Sequence, residues 1–256
     1  MDCGHKPKAQ YLVQSAISIL LSFKMSQSYD RWWEARKVWG AIVNDSRSLT
    51  IQLQSFLNEK NTIRKIAFRQ IAWCYSLGQS LRGLNPLEKL DHYFDPGDFD
   101  NLLDHLNKPL AILQQNAREI KALKFNNQIE IFTQIQLDNT FTRLCDAMGR
   151  AERIKTTIFP QTYRLFLHFE FYLFVAILSI ALDDVKILFL LPLIMVISLV
   201  FFLMEKTATY MQDPFSNTPS DTAVTAIATT IEINIKQLLG EKEIPEPLQS
   251  DTFYIL

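Results

Sequence analysis

Two apolar runs stand back to back toward the C-terminal end of the chain: Leu165 to Leu182, then Asp183-Asp184-Val185-Lys186, then Ile187 to Met204. Each is roughly 18 residues long, about 27 Å of helix, which matches the hydrocarbon core of a bilayer. Together they predict a transmembrane helical hairpin. Two buried core helices of a water-soluble protein are the alternative, and adjacent runs this apolar speak against it. Pro192 in the second run is tolerated in a membrane helix and predicts a kink. His168 and Glu170 lie in the first turns of the first run, beside Arg164, where they either snorkel to the headgroups or face a water-filled interior.

Basic residues orient the hairpin. Arg143, Arg150, Arg153, Lys155 and Arg164 precede it and Lys206 follows it, while its turn carries Asp183 and Asp184 against Lys186. The bias of lysine and arginine toward the cytoplasm places both hairpin ends inside and the turn outside. A third apolar segment, Tyr11 to Phe23, spans only if extended into its flanks, since about 13 residues make roughly 20 Å of helix. Lys24, Arg31, Arg36 and Lys37 after it favour a cytoplasmic exit. An odd number of spans with a weak first one is the pattern of a chain that lacks a preceding helix. The expected organisation is a membrane helix over 1–23, a cytosolic helical domain over 24–164, the hairpin over 165–204 and a C-terminal cytosolic helix and tail over 205–256, in a multi-pass protein of the inner (plasma) membrane.

Between Lys24 and Arg164 glycines are sparse, and apolar residues recur at three and four, as in Val38, Ile42, Val43, Leu49, Leu53 and Leu57. That spacing predicts an all-helical region. Pro86, Pro96 and Gly97 predict a break near residues 85 to 100. The break also carries Asp91, His92, Asp95, Asp98 and Asp100, whose spacing fits neither an EF-hand loop nor an HExxH helix; a solvated acidic loop with helix caps is the expectation. A membrane-bound enzyme built around His92 and Asp95 is the reading in which that loop performs chemistry. The chain has no glycine-rich phosphate loop, no GxSxG elbow and no plausible cysteine nucleophile, so no enzyme is expected. Cys3, Cys74 and Cys145 form no CxxC pair, which gives neither a disulfide framework nor a zinc site. A formal net charge of −1 over 256 residues lacks the basic excess that a nucleic-acid partner requires.

The stretch after the first apolar segment reads "SQSYDRWWEARKVWGAIVNDSRSL". Tryptophans beside arginines at the exit of an apolar helix fit an interfacial belt; Trp32, Trp33 and Trp39 fit core packing between helices equally well. Arg31, Glu34 and Arg36 could join a salt network between helices.

The order of residues in "SYDRWWEARKVWGAIVNDSR", with Arg31, Trp32, Trp33, Glu34, Arg36 and Trp39, closely resembles the signature that follows the second membrane helix of bacterial bestrophins. The later "MEKTATYMQDPFSNTPSDTAVTAIATTIEINIKQLLGE" resembles that family's end, including its DPF turn. The resemblance implies an all-α membrane protein with long cytosolic helices, assembled as a homopentamer around a central pore. Monovalent ions, chloride or cations, would pass passively through it, with no cofactor. Counting back from Arg31, the family's neck positions fall on Ser15, Ile19 and Phe23. Steps of four turn about 400°, so the three share one face. Ser15 departs from the apolar family pattern. Ile19 and Phe23 could instead pack against neighbours, with Ser15, Ser18 and Ser22 as a small-residue stripe for close helix contact. A second, cytosolic constriction would fall near Phe132 or Ile135. "DPFSNTPSD" offers only Asp213 and Asp221, too few carboxylates for the six to eight oxygens of a calcium site, so no calcium gating and no metal are expected. A non-conducting membrane scaffold, or a truncated member lacking the first membrane helix, is the alternative function.

Overall fold

A computed structural model describes residues 6–157, 161–181, 186–218 and 221–248. Asp183 and Asp184 of the expected hairpin turn, and the side chain of Arg164, lie outside the described residues. Every α or 3-10 element among the described residues is a helix, and none is a strand. Helix α1, Lys6–Phe56, runs unbroken for 51 residues. No proline stands between Pro7 and Pro86, and Gly40 is the one glycine inside α1, so nothing breaks the backbone ladder. The apolar segment Tyr11–Phe23 is therefore the first part of a longer rod.

Helix α2, Lys60–Leu81, ends in a turn through Gly83 at φ 71°. The expected interruption follows, holding a single 3-10 turn at Asp91–Tyr93 and the four-residue α3 at Asp100–Leu103. Helix α4, Lys108–Phe125, restarts the chain with Asn107 as its N-cap, the side chain accepting from the Leu110 N–H at 3.0 Å, and with Pro109 in its first turn. Then come α5 (Ile131–Thr156), α6 (Gln161–Ala181), α7 (Ile187–Gln212) and α8 (Val224–Leu239). Gly240, at φ 72°, closes α8 with a left-handed cap.

The chain forms two compact units. The first comprises the described residues up to Trp33 with those from Thr157 to Pro214; the second comprises Glu34–Thr156 with the described residues from Phe215 onward. In the first, a small core of Leu21, Phe171, Phe174, Leu178 and Phe201 joins α1, α6 and α7. The rings of Phe171 and Phe201 stack at 4.0 Å. Apart from the few side chains it buries, α7 is largely exposed: only 6% of its most apolar 18-residue window is buried, and among the described helices it alone is long and apolar enough to cross a membrane. α6 carries a shorter apolar run, Leu165–Ile180. A soluble core helix would be buried, so this exposure opposes that alternative.

The second unit has a conventional interior. Trp39, Ile42, Leu49, Trp73, Phe215 and Ile231 are among its fully buried side chains. Helix α8 passes close to α2: a β-carbon on Gly78 would sit 3.4 Å from a Val224 methyl.

The acidic break is solvated as expected, with Asp91, His92, Asp95 and Asp100 exposed, but none of its aspartates is an N-cap. Asp98 instead bonds the buried Arg69, which also reaches Glu119 at 3.2 Å. Lys65 contacts Asp95, Asp98 and Glu119 at 3.1, 3.4 and 3.3 Å. Burial alone would raise the Asp98 carboxyl, but the bond to Arg69 and the charges of Arg69 and Lys65 outweigh it and hold it below the ordinary range. The break is thus clasped to α2 by charge.

Candidate functional site

The exposed side of α1 in the first unit carries Ser15, Ile19 and Phe23, with Ile19 55% and Phe23 59% exposed. Ser18, Ser22 and Ser26 flank them, and the residues from Ser18 to Ser26 on this side line an open groove of about 460 Å³. The face therefore combines methyl and phenyl groups with neutral hydroxyls and no charge. Such a surface can exclude water when narrow, or present O–H donors when wide.

The opposite side of α1 is buried, and it holds charge. Lys24 donates from Nζ to Glu205 Oε1 at 2.6 Å and to Thr209 Oγ1 at 3.2 Å. Glu205 Oε1 also lies 3.9 Å from His168 Nε2. One turn on, Ser28 donates to the Lys24 carbonyl at 2.7 Å. Sequence reasoning treated Lys24 as a flanking charge and His168 as a residue reaching for headgroups or water; both instead converge on one carboxylate from α7. Glu170 Oε2 is buried and has no hydrogen-bond partner among the described residues. Removing one member of a buried ion pair typically costs about 3–5 kcal/mol, since the other charge is stranded.

The tryptophan motif divides between roles. Arg31 Nε donates to the Gln212 carbonyl at 2.9 Å. Burial lowers the guanidinium pKa from its ordinary value, with the charge of Asp213 opposing that shift. Trp32 is half-buried and Trp33 exposed, in a ladder with Tyr29 whose ring lies 6.0 and 6.5 Å from theirs. Trp39 is fully buried in the second unit. Glu34 meets Lys37 on its own helix at 3.8 Å, and Arg36 is exposed.

Phe132 and Ile135 are exposed one turn apart on α5. Asp221 accepts from Thr218 Oγ1 at 2.6 Å. Among the described residues no group of three or more His, Cys, Asp or Glu side chains is arranged to hold a metal ion.

Comparison with known proteins places this geometry. The family model described as bacterial/fungal bestrophin protein matches residues 4–237. The voltage-dependent anion channel-forming protein YneE of Escherichia coli O157:H7 is 32% identical over 242 residues, covering 94% of this chain and 79% of that protein. The voltage-dependent anion channel-forming protein RSc3414 of Ralstonia nicotianae is 25% identical over 247 residues, covering 95% and 81%. A crystal structure of a bacterial bestrophin homologue from Klebsiella pneumoniae superposes with a TM-score of 0.86 at 29% identity, covering 92% of this chain and 88% of that one.

Proposed function

The chain belongs to the bestrophin family, and on that premise we propose that it is the subunit of a membrane channel through which monovalent anions pass passively. The observation that carries this reading is the exposed face of α1, where Ile19 and Phe23 stand out from a helix whose other side is packed. Large apolar side chains held outward at a spacing of four residues make a narrow ring when several copies surround one axis. Five copies, with Ser15, Ile19 and Phe23 as the neck, are the arrangement we propose. Such a ring blocks ions by dewetting and conducts when it widens. The anion preference is supported by the names of the similar proteins, and the Ser18, Ser22 and Ser26 hydroxyls are of a kind that can donate to a partly dehydrated anion.

In this reading α6 and α7 cross the inner (plasma) membrane as a hairpin, and the second unit lies in the cytoplasm. Phe132 and Ile135 form a further constriction there, and Trp32, Trp33 and Arg31 mark the exit level of α1. No chemical step is performed, and no cofactor is needed.

Ion flux through the purified protein in liposomes tests the proposal, comparing chloride with potassium for the unsubstituted chain, Ile19→Ala and Phe23→Ala. The expected result is chloride flux that rises severalfold, or changes selectivity, when the apolar ring is trimmed. Absence of flux from every sample, with insertion verified by protease protection, overturns conduction in favour of a non-conducting scaffold.

A further inference from the structure

Lys24 directly follows Phe23, a step of about 100° round the helix, and lies about 140° from Ile19. Its side chain is 1% exposed. It ties α1 to a residue 181 positions away on α7, at 2.6 Å. Among the described residues Leu21 also ties this stretch of α1 to the first unit's core, packed among phenylalanines. Apolar contact is non-directional and lets a helix turn or slide at little cost. An ion pair with a shared hydroxyl has one good geometry and fixes both rotation and height.

We propose that the Lys24–Glu205 pair, with His168 beside it, sets the rotation of α1 and so aims Ile19 and Phe23. The functional consequence rests on the conduction reading; the positioning itself does not. Three groups converge on Glu205 Oε1: Lys24 from α1, His168 from α6 at 3.9 Å, and Thr209 from α7 at 3.3 Å. Lys206, the other charge on this part of α7, is exposed and turned to Tyr210. Glu170 of α6 has one carboxylate oxygen buried without a hydrogen-bond partner among the described residues, and the Phe202 ring lies 6.4 Å from His168.

The test reads the orientation of α1 directly. In a background with the natural cysteines replaced by serine, Ser22→Cys on the exposed side and Leu21→Cys on the packed side are each reacted with a charged thiol reagent in liposomes. With the pair intact, Ser22→Cys reacts much faster than Leu21→Cys. In Lys24→Met and Glu205→Gln that ratio falls severalfold, and Lys24→Arg keeps it. A ratio unchanged by loss of either partner overturns the positioning role, and so does a ratio that Lys24→Arg lowers as far as Lys24→Met. Flux on the same samples separates the two ideas. An unchanged ratio with flux that still responds to Phe23→Ala removes the positioning role and leaves the channel. A shifted ratio with no flux anywhere leaves the positioning role and removes the channel.

Discussion

In the unit built from the start of α1 with α6 and α7, leucines, phenylalanines and valines face outward, and a lysine, a glutamate and a histidine meet inside. In the other unit Trp39, Trp73 and their aliphatic neighbours fill the interior. There the ion pairs Arg64–Glu241, Lys65–Asp95 and Arg143–Asp45 stay at least partly in water. The same twenty side chains are thus sorted in opposite senses within one molecule. Sorting follows the solvent: in water apolar area is driven inward, whereas against lipid it gains nothing by hiding, and inner contacts are free to be polar and specific. A charge pair buried in the first unit therefore acts as a fixed joint, while a half-exposed pair in the second only tacks a loop in place.

The contrast is sharpest at Trp39. Its indole nitrogen has no hydrogen-bond partner among the described residues, so its contribution is packing beside Gly78, where Val224 of α8 also approaches. Trp39→Ala is expected to cost about 3–5 kcal/mol, and Trp39→Phe much less, read as the shift in thermal midpoint of the detergent-solubilised protein. Equal losses from both variants would mean that the indole N–H, and not the packed volume, holds the site.

A second comparison sets two equally exposed apolar residues against each other: Val196 on α7, 59% exposed, and Ile51 on α1 in the second unit, 51% exposed. If lipid surrounds α7, Val196→Asp lowers insertion by about 2.5–3.5 kcal/mol, and the carbonate-resistant membrane fraction drops sharply. Ile51→Asp leaves that fraction unchanged. Similar behaviour of the two variants would erase the distinction between the units.

How much of this was readable beforehand depends on the range of the forces involved. The two apolar helices α6 and α7 follow from run length, the helical middle from scarce glycine and proline, and the break before α4 from Pro86, Pro96 and Gly97; each is a local signal. That Ser15, Ile19 and Phe23 share a face follows from helical period, and the family signature was legible in the order of residues around Arg31. The joint at Lys24 was not. A lysine closing an apolar run looks like any interfacial anchor, and only the packing of α7, 181 residues on, reveals its partner. The tryptophans split for a similar reason. Trp33 and Trp39 are six residues apart, about 240° round the helix, so one is exposed and the other buried; the sequence leaves open which face meets α2 and α8. Asp98 resembled a cap because its partner Arg69 lies 29 residues upstream.

The smallest expected effects are the pH responses that belong to the second unit. Asp98 is held low by Arg69 and Lys65 against its own burial, and Glu232 by Lys236, Tyr93 and Tyr75 against its burial. A depressed native pKa gives stability that is present above the ordinary carboxylate range and lost as pH falls through it toward the native value. Stability should therefore decline below about pH 4, and Asp98→Asn should flatten the decline by no more than about 1 kcal/mol, since that pair is partly exposed. At the other end burial pushes the Cys74 thiol up to about 12. Burial and the nearby Glu232 carboxylate also raise Tyr75 and Tyr93. The sign is then reversed: the unfolded thiol ionises near pH 8.5 while the native one stays neutral, so stability falls as pH rises from there, by at most about 1.4 kcal/mol per unit for each group. Denaturant unfolding followed by tryptophan fluorescence between about pH 8.5 and 9.5 measures this slope. Cys74→Ala should flatten it, and Tyr75→Phe should flatten the steeper part above about pH 10. A slope indifferent to both would place the alkaline sensitivity outside this core.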